Sequence, residues 1–353
     1  MKKLKLGVIF GGISTEHEVS IVSGTSVIKN LDKEKYEITP IYIDKDGNWY
    51  IYEKFVKDIE VLTIKDKIKE KHIIENLEET LKNLDIVFPV LHGLGGEDGS
   101  IQGMLEMLKI PYVGCGILAS SVGMDKVYSK IVFDKANIKQ SKYEYIRKYK
   151  EGYIYIDKQF NETVMNLEEV SNVVDKSLEY PMFVKPSNSG SSVGINKVND
   201  IEELKKAIEF ASKYDKKVLI EQGIIGREIE CAVLGNEDVI SSCVGEIIPA
   251  ETFYSFDAKY KNSESKVLIP ADIPKEMSNK IRDLAIKAFK AIDGKGLARV
   301  DFFVNEKNEE IYINEINTLP GFTQISMYPK LFENIGISYS QLLDKLIELA
   351  LEK

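Results

Sequence analysis

Two segments near the carboxyl end carry residues that could manage phosphate and metal. They read Arg299-Val-Asp301-Phe-Phe and Asn314-Glu315-Ile-Asn317. Both are patterned as strands, and strand side chains alternate faces. Arg299, Asp301 and Phe303 therefore share one face, and Glu315 and Asn317 share a face of the partner. Where those faces coincide, Asp301, Glu315 and Asn317 present hard oxygen ligands together. Such a set suits Mg²⁺, which takes few protein ligands and completes its shell with phosphate oxygens. The plain alternative is a half-exposed strand pair in which acids merely alternate with Phe and Ile.

A second segment supplies what phosphates need. Lys185-Pro-Ser-Asn-Ser-Gly-Ser-Ser-Val-Gly194 is a loop of small residues after a strand. Its backbone N–H groups can cradle phosphate, and Lys185 adds a point charge; a simple turn has the same composition. Two polar loops lie near the amino terminus. Gly11-Gly-Ile-Ser-Thr-Glu16-His17-Glu18 puts a carboxylate at a helix start, where it could also be an ordinary dipole-favoured acid. His92-Gly-Leu-Gly-Gly-Glu97-Asp98-Gly99 is a tight turn with an imidazole and two acids, and the histidine could equally be structural. The long segment Ala250–Pro270 holds Phe253, Tyr254, Phe256, Lys259 and Tyr260, which would suit a water-excluding lid or a loop packed for structure. Nothing matches GxxxxGK[ST], a GxGxxG after a strand, HExxH or GxSxG, so several nucleotide and protease readings drop out.

These residues need elements to position them. Apolar runs predict strands at Leu4–Phe10, Lys35–Ile43, Leu84–Leu91 and Pro111–Gly114, with helices at Glu18–Lys29 and Ile101–Leu108. Such alternation suggests a parallel α/β layer, with both Gly-rich loops at carboxyl ends of strands. Residues 139–180 are weakly patterned. Strands then follow at Met182–Lys185, Ile195–Val198 and Lys217–Glu221. A helix from Asp200 to Tyr214 carries Asp200 and Glu203 as an apparent capping box. Arg227–Leu234 and Val239–Ile247 read as neighbouring antiparallel strands, Lys275–Ile292 as a helix, and Arg299–Val304 with Ile311–Ile316 as a hairpin. The chain closes on an amphipathic helix, Ser338–Glu352. Three units emerge: 1–122, 123–217 and 218–353.

Composition narrows the function classes. The 353 residues carry 47 Lys+Arg against 56 Asp+Glu, a net charge of −9, with 44% hydrophobic residues. That composition argues for a folded chain and against nucleic acid as a partner, since phosphate neutralisation needs a basic face. Only four basic residues are Arg: Arg147, Arg227, Arg282 and Arg299. Arg299 lies between Ala298 and Val300, where a permanently charged fork requires an anionic partner. Cys115, Cys231 and Cys243 are too dispersed for a disulfide framework and read as small buried hydrophobes. Met1–Lys5 resembles the start of an export signal, but the apolar stretch to Phe10 is too short for one. No apolar run is long enough to span a membrane. The expectation is a cytoplasmic protein with no membrane partner.

Taken in order, the motifs resemble the D-alanine–D-alanine ligases, which are ATP-grasp enzymes, over nearly the whole chain. They are Gly11-Gly-x-Ser-x-Glu16-x-Glu-Val-Ser20, His92-Gly-x-x-Gly-Glu97-Asp-Gly99, Met124-Asp-Lys126, Lys185-Pro with Gly190-Ser191-Ser192-Val-Gly194, Lys259-Tyr260, Arg299-x-Asp301, and Asn314-Glu315-x-Asn317-Thr-x-Pro-Gly321-Phe-Thr. The resemblance implies an α/β, three-domain ATP-grasp architecture: an N-terminal parallel α/β domain and two α+β domains clasping the nucleotide. It implies ATP as co-substrate and two Mg²⁺ (or Mn²⁺) held by Asp301, Glu315 and Asn317. Lys126, Lys185, Ser192 and Lys259 would serve the phosphates. Glu221 would meet the adenine amino group, Ile224 the purine edge and Glu228 the ribose. Glu16 would bind the ammonium of a first D-alanine and form a lid-closing triad with Ser191 and Tyr260. His92 would lie near that substrate's carboxylate, Arg299 and the Gly321 N–H would stabilise an oxyanion, and Ser326 would hold the second substrate's carboxylate. A homodimer is common in that family.

The acceptor is read from fewer residues. Phe256 lacks the hydroxyl that the family's lid often carries there. Met327 is apolar where the vancomycin-resistance ligases commonly have Arg, and would pack against an acceptor methyl. D-alanine is therefore the expected acceptor. D-serine or D-lactate is the alternative within the enzyme class, parts of the chain resembling the D-serine ligases, and a catalytically silent ATP-binding regulator is the alternative outside it.

Overall fold

A computed structural model describes residues 2–52, 72–190, 193–248, 266–305 and 308–352. Strands buried on both faces build the first sheet. β1 (Leu4–Gly11) pairs in parallel with β2 (Tyr36–Ile43) and with β5 (Ile86–Val90), and every residue of β5 is buried. β3 (Trp49–Ile51) and β4 (His72–Ile73) add an antiparallel edge, giving the order β4-β3-β2-β1-β5. The sheet is thus mixed, not parallel throughout. Pro111–Gly114 makes only an isolated bridge, Tyr112 to Val87, instead of a strand; a proline and a glycine leave too little ladder. Helix α1 (His17–Asn30) lies on β1 through Gly24, where a Cβ would come within 2.6 Å of Phe10 Cβ. α2 (Leu77–Lys82), α3 (Ser100–Met107), α4 (Ile117–Met124) and α5 (Lys126–Lys135) follow.

Residues 139–180 hold three strands and a helix that the sequence pattern conceals: β6 (Tyr143–Tyr149), β7 (Gly152–Ile156), β8 (Glu162–Met165) and α6 (Leu167–Ser177). β8 is exposed along most of its length, so apolar alternation never develops there. With β9 (Met182–Pro186), β10 (Asn196–Val198) and β11 (Lys217–Gln222) they form an antiparallel sheet, β10-β9-β11-β6-β7-β8. α6 and α7 (Ile201–Ala211) pack together against it. The capping box expected on α7 is displaced. Asp200 accepts from the Glu202 and Glu203 N–H groups, but Glu203 reaches back to the N–H of Asn199, one residue earlier. Reciprocal boxes occur instead at Asn166/Glu169 and Ser338/Gln341.

The third sheet runs β14-β13-β12-β15-β16. Its strands are β12 (Arg227–Gly235), β13 (Ile240–Ile248), β14 (Lys266–Leu268), β15 (Gly296–Asn305) and β16 (Glu310–Asn317), all antiparallel. Helix α8 (Lys275–Ala291) buries Ile281, Ala285 and Phe289 against one face, in a core that also holds Ala119 and Phe133 from α4 and α5. α9 (Met327–Asn334) and α10 (Tyr339–Leu351) share a core with β1 and β5. The three sheets succeed one another along the chain. However, the 217/218 division cuts β11 at its first residue, and the chain's last helices return to the first sheet. Cys115 and Cys231 are buried and Cys243 partly so, all as free thiols; burial pushes Cys231 up to about 12.

Candidate active site

A cleft of about 1710 Å³ is lined by strands of the second and third sheets and, from the amino-terminal unit, by α1 and the loops after β1 and β5; among its residues are Glu16, Lys126, Lys185, Glu221, Asp301 and Glu315. On its metal-like wall, β12, β15 and β16 lie side by side. The register sets Glu230 opposite Asp301, Asp301 opposite Glu315, and Arg299 opposite Asn317. The faces supposed from alternation therefore do coincide. Arg299 Nε and Nη2 donate to Asp301 Oδ1 and Oδ2 at 2.7 and 2.8 Å, and Nε lies 3.1 Å from Glu230 Oε2. Burial works against the guanidinium charge, but Asp301 and Glu230 outweigh it and drive its pKa well above the usual value. Asn317 Nδ2 donates to Asp301 Oδ2 at 3.0 Å. Two carboxylates and an amide make up the donor set, and among the described residues no three His, Cys, Asp or Glu side chains converge as a closed metal cage. An open all-oxygen set fits a cation that completes its shell with phosphate oxygens.

The phosphate-like wall depends on Asp125, which caps α5. Its Oδ1 accepts from Val127 N, Tyr128 N and Ser187 Oγ, and its Oδ2 from Lys217 Nζ at 2.5 Å. Burial alone would raise its pKa; Lys217 and Ser187 more than offset that and hold it below the usual carboxylate range. This knot ties the small-residue loop to the helix that carries Lys126. Lys126 N donates to Ser187 O at 3.0 Å, and its Nζ to Ser189 O at 2.6 Å, 4.0 Å from Glu315 Oε2. Lys185 pairs with Glu221 Oε1, and Lys130 Nζ stands 2.9 Å from Glu221 Oε2. Burial would raise the Glu221 pKa, but the two ammonium groups pull it down to about 2. Ile224 and Glu228 also line the cleft.

On the amino-terminal side, parallel pairing of β1 with β5 brings the two Gly-rich loops together, and Ser14 Oγ donates to His92 O at 2.6 Å. Glu16 is buried beside both; a Cβ at Gly190 would overlap its carboxylate, so the small-residue loop reaches it closely. His92 is buried, with Nε2 2.9 Å from Ser23 Oγ and Nδ1 3.1 Å from Leu319 O. Burial lowers its pKa, but Glu97 and Glu16 raise it further, and burial raises Glu97 in turn. Leu319 leads into Pro320-Gly321, and Gly321 packs on Ser326 Oγ, which accepts from Thr323 N at 3.0 Å. Met327 is buried beneath, against Gly245, and still borders the cleft.

The expected site residues that the structure describes all line this cleft. Ser191, Ser192, Lys259 and Tyr260, with Phe253, Tyr254 and Phe256, lie outside the described residues. Lys130 and Glu230 were not foreseen. Each has a signal in retrospect: Lys130 is one helical turn beyond Lys126, and Glu230 is two strand positions beyond Glu228.

Three α/β units around one cleft, with a lysine-bearing wall and an acidic wall, have the architecture of an ATP-grasp enzyme, and solved structures share it. The VanG D-Ala:D-Ser ligase from Enterococcus faecalis aligns with a TM-score of 0.86 at 37% identity, covering 99% of this chain and 100% of its own. The D-alanine-D-alanine ligase from Coxiella burnetii aligns at 0.82 and 34%, covering 100% and 95%. The family described as D-ala D-ala ligase matches residues 5–115 with its N-terminus and 151–348 with its C-terminus. A D-alanine–D-alanine ligase of Acetivibrio thermocellus is 49% identical over 99% of this chain and 96% of its own. The chain belongs to the D-alanine–D-alanine ligase family.

Proposed function

We propose that this protein joins two D-alanines into D-alanyl-D-alanine at the expense of ATP, as a step in building peptidoglycan precursors in the cytoplasm. The observation that carries the reading is the shared cleft: Glu16 and His92 on one side, Lys126 and Lys185 on another, and Arg299, Asp301, Glu315 and Asn317 on the third. A carboxylate is a poor electrophile. Its oxygen attacks the γ-phosphorus, the bond to the β-phosphate oxygen breaks, and ADP leaves an acyl phosphate. The amine of the second D-alanine attacks that carbonyl and loses a proton, and the tetrahedral intermediate expels inorganic phosphate.

Phosphoryl transfer needs positioning and charge neutralisation above all. Lys126 and Lys185 orient the phosphates, with Ser192 and Lys259 as further contacts. Glu221, Ile224 and Glu228 hold adenine and ribose. Asp301, Glu315 and Asn317 would hold Mg²⁺ (or Mn²⁺), which supplies charge neutralisation at the phosphates. Glu16 anchors the first substrate's ammonium and joins Ser191 and Tyr260 in the triad that closes the lid, and His92 faces that substrate's carboxylate. The Arg299 fork, buried yet charged, and the Gly321 N–H stabilise the oxyanion. Ser326 holds the second carboxylate, and Met327 bounds the acceptor side chain.

D-alanine-dependent phosphate release from ATP, with D-alanyl-D-alanine found by mass spectrometry, is the test. Equal turnover of L-alanine sinks the reading, and tight ATP binding without turnover points to a silent regulator. A second acceptor, D-serine, is favoured by the likeness to VanG. Competition of D-alanine with D-serine and D-lactate decides between them. Tyr260→Phe should lower turnover while ATP binding survives; unchanged turnover removes Tyr260 from the triad.

A further inference from the structure

Glu221 is a buried carboxylate with two ammonium partners that differ in what else they can reach. Lys185 stands on β9 and lines the cleft, its side chain 12% exposed. Lys130 stands on α5, is 3% exposed, and is not among the residues lining the cleft. Its Nζ lies 2.9 Å from Glu221 Oε2 and 5.4 Å from the Tyr143 ring centroid, on the strand that pairs with β11 opposite Glu221. The contact is electrostatic rather than a well-aligned hydrogen bond. One partner can therefore turn towards an incoming triphosphate, whereas the other is sealed behind the carboxylate.

We propose that Lys130 is the resident counter-ion of Glu221: it anchors the adenine-recognising carboxylate when Lys185 turns to the nucleotide phosphates. A buried carboxylate that loses its last cation is strongly disfavoured. Without Lys130, Glu221 retains Lys185, and the nucleotide must compete for that lysine. Lys130 is thus a positioning residue, acting through Glu221 without touching ATP. The inference deepens the proposed function and rests on its placing of Glu221 at the adenine and Lys185 at the phosphates.

The test is steady-state kinetics of the full chain with saturating D-alanine and Mg²⁺, for ATP and for its 6-oxo analogue ITP. Lys130→Met should raise the KM for ATP at least about tenfold, the scale of truncating one partner of a buried charge pair. Its kcat should change by less than about threefold, because ground-state positioning is what is lost. Lys130→Arg should recover most of the KM. In a Glu221→Gln background, Lys130→Met should add no more than about twofold, because both changes break the same contact. That charge-neutral double variant, compared with Glu221→Gln alone, decides the matter even where Lys130→Met alone fails to fold. An unchanged KM in Lys130→Met, a loss confined to kcat, or multiplying effects in the double variant overturns the proposal. Where Glu221→Gln raises the KM and erodes preference for ATP over ITP but Lys130→Met does neither, only the Lys130 role falls. Where Glu221→Gln does neither, the placing of Glu221 at the adenine falls, and the Lys130 role with it.

Discussion

In the proposed mechanism, Arg299 is a side chain prepared before substrate arrives. Its fork is held flat by Asp301 and Glu230, so little rotamer freedom remains to be lost when charge develops on an oxyanion. Arg299→Met should lower kcat by about a hundredfold to a thousandfold, the scale of losing one oxyanion donor. Lysine should not rescue it, because a point charge cannot satisfy both Asp301 oxygens and the oxyanion. Phosphate-release assays check both variants. Glu221 makes a pH prediction. Its pKa is depressed from 4.5 to about 2 in the folded state, so its stabilising contribution is complete above about pH 4.5 and is lost as pH falls towards 2. Thermal melts of wild type between pH 5 and pH 2 should therefore decline faster than those of Glu221→Gln. Parallel declines refute the assignment.

Helix termini and close packing position these side chains. Asp125 caps α5 and, through Ser187 and Lys217, ties down the small-residue loop. Asp125→Ala should cost about 1 kcal/mol for the cap alone. It should also raise the KM for ATP, because Lys126 and the loop lose their common anchor. Calorimetry and kinetics separate the two effects, and a stability loss with unchanged KM would make the cap purely structural. Gly24→Val should destabilise by about 1–3 kcal/mol through overlap with Phe10. That helix also sets Glu16 at its start, so a urea titration showing full stability would contradict the α1–β1 contact. Legibility was uneven at this scale. Strands buried on both faces and helices with apolar stripes were readable, because their periodicity is the burial itself. β6 to β8 were not, because polar and Tyr residues interrupt the apolar alternation of β6 and β7, and β8 is largely exposed. The shifted cap at Asn199 depends on a one-residue difference in chain entry that no S/T/D-x-x-E pattern records.

At the scale of the molecule, the site exists only where the second and third sheets meet α1 and the loops of the first. A ligand that bridges them binds the folded form and shifts stability by mass action. Mg²⁺ with ATP at about 100 times its Kd should add about 2.7 kcal/mol, read as a rise in melting temperature. Glu315→Gln should blunt the Mg²⁺-dependent part of that rise. An equal rise without Mg²⁺ would argue against the acidic wall as the metal site. The net charge of −9 does not oppose nucleotide binding, because a few placed lysines set the local field in the cleft.

The sequence by itself determined the chemistry on offer. Alternation along a strand placed Asp301 with Arg299 and Glu315 with Asn317, and ordered motifs carried the family. Tertiary structure decided which groups face each other. The register of β15 on β16 made the acidic faces coincide, and parallel pairing of β1 with β5 joined the two Gly-rich loops. Packing of α5 put Lys130 behind Glu221, and the antiparallel β12 delivered Glu230 to Arg299. Periodicity is a property of one element and is written locally. A counter-ion is a property of two elements distant in sequence, and only their packing determines which charge is paired.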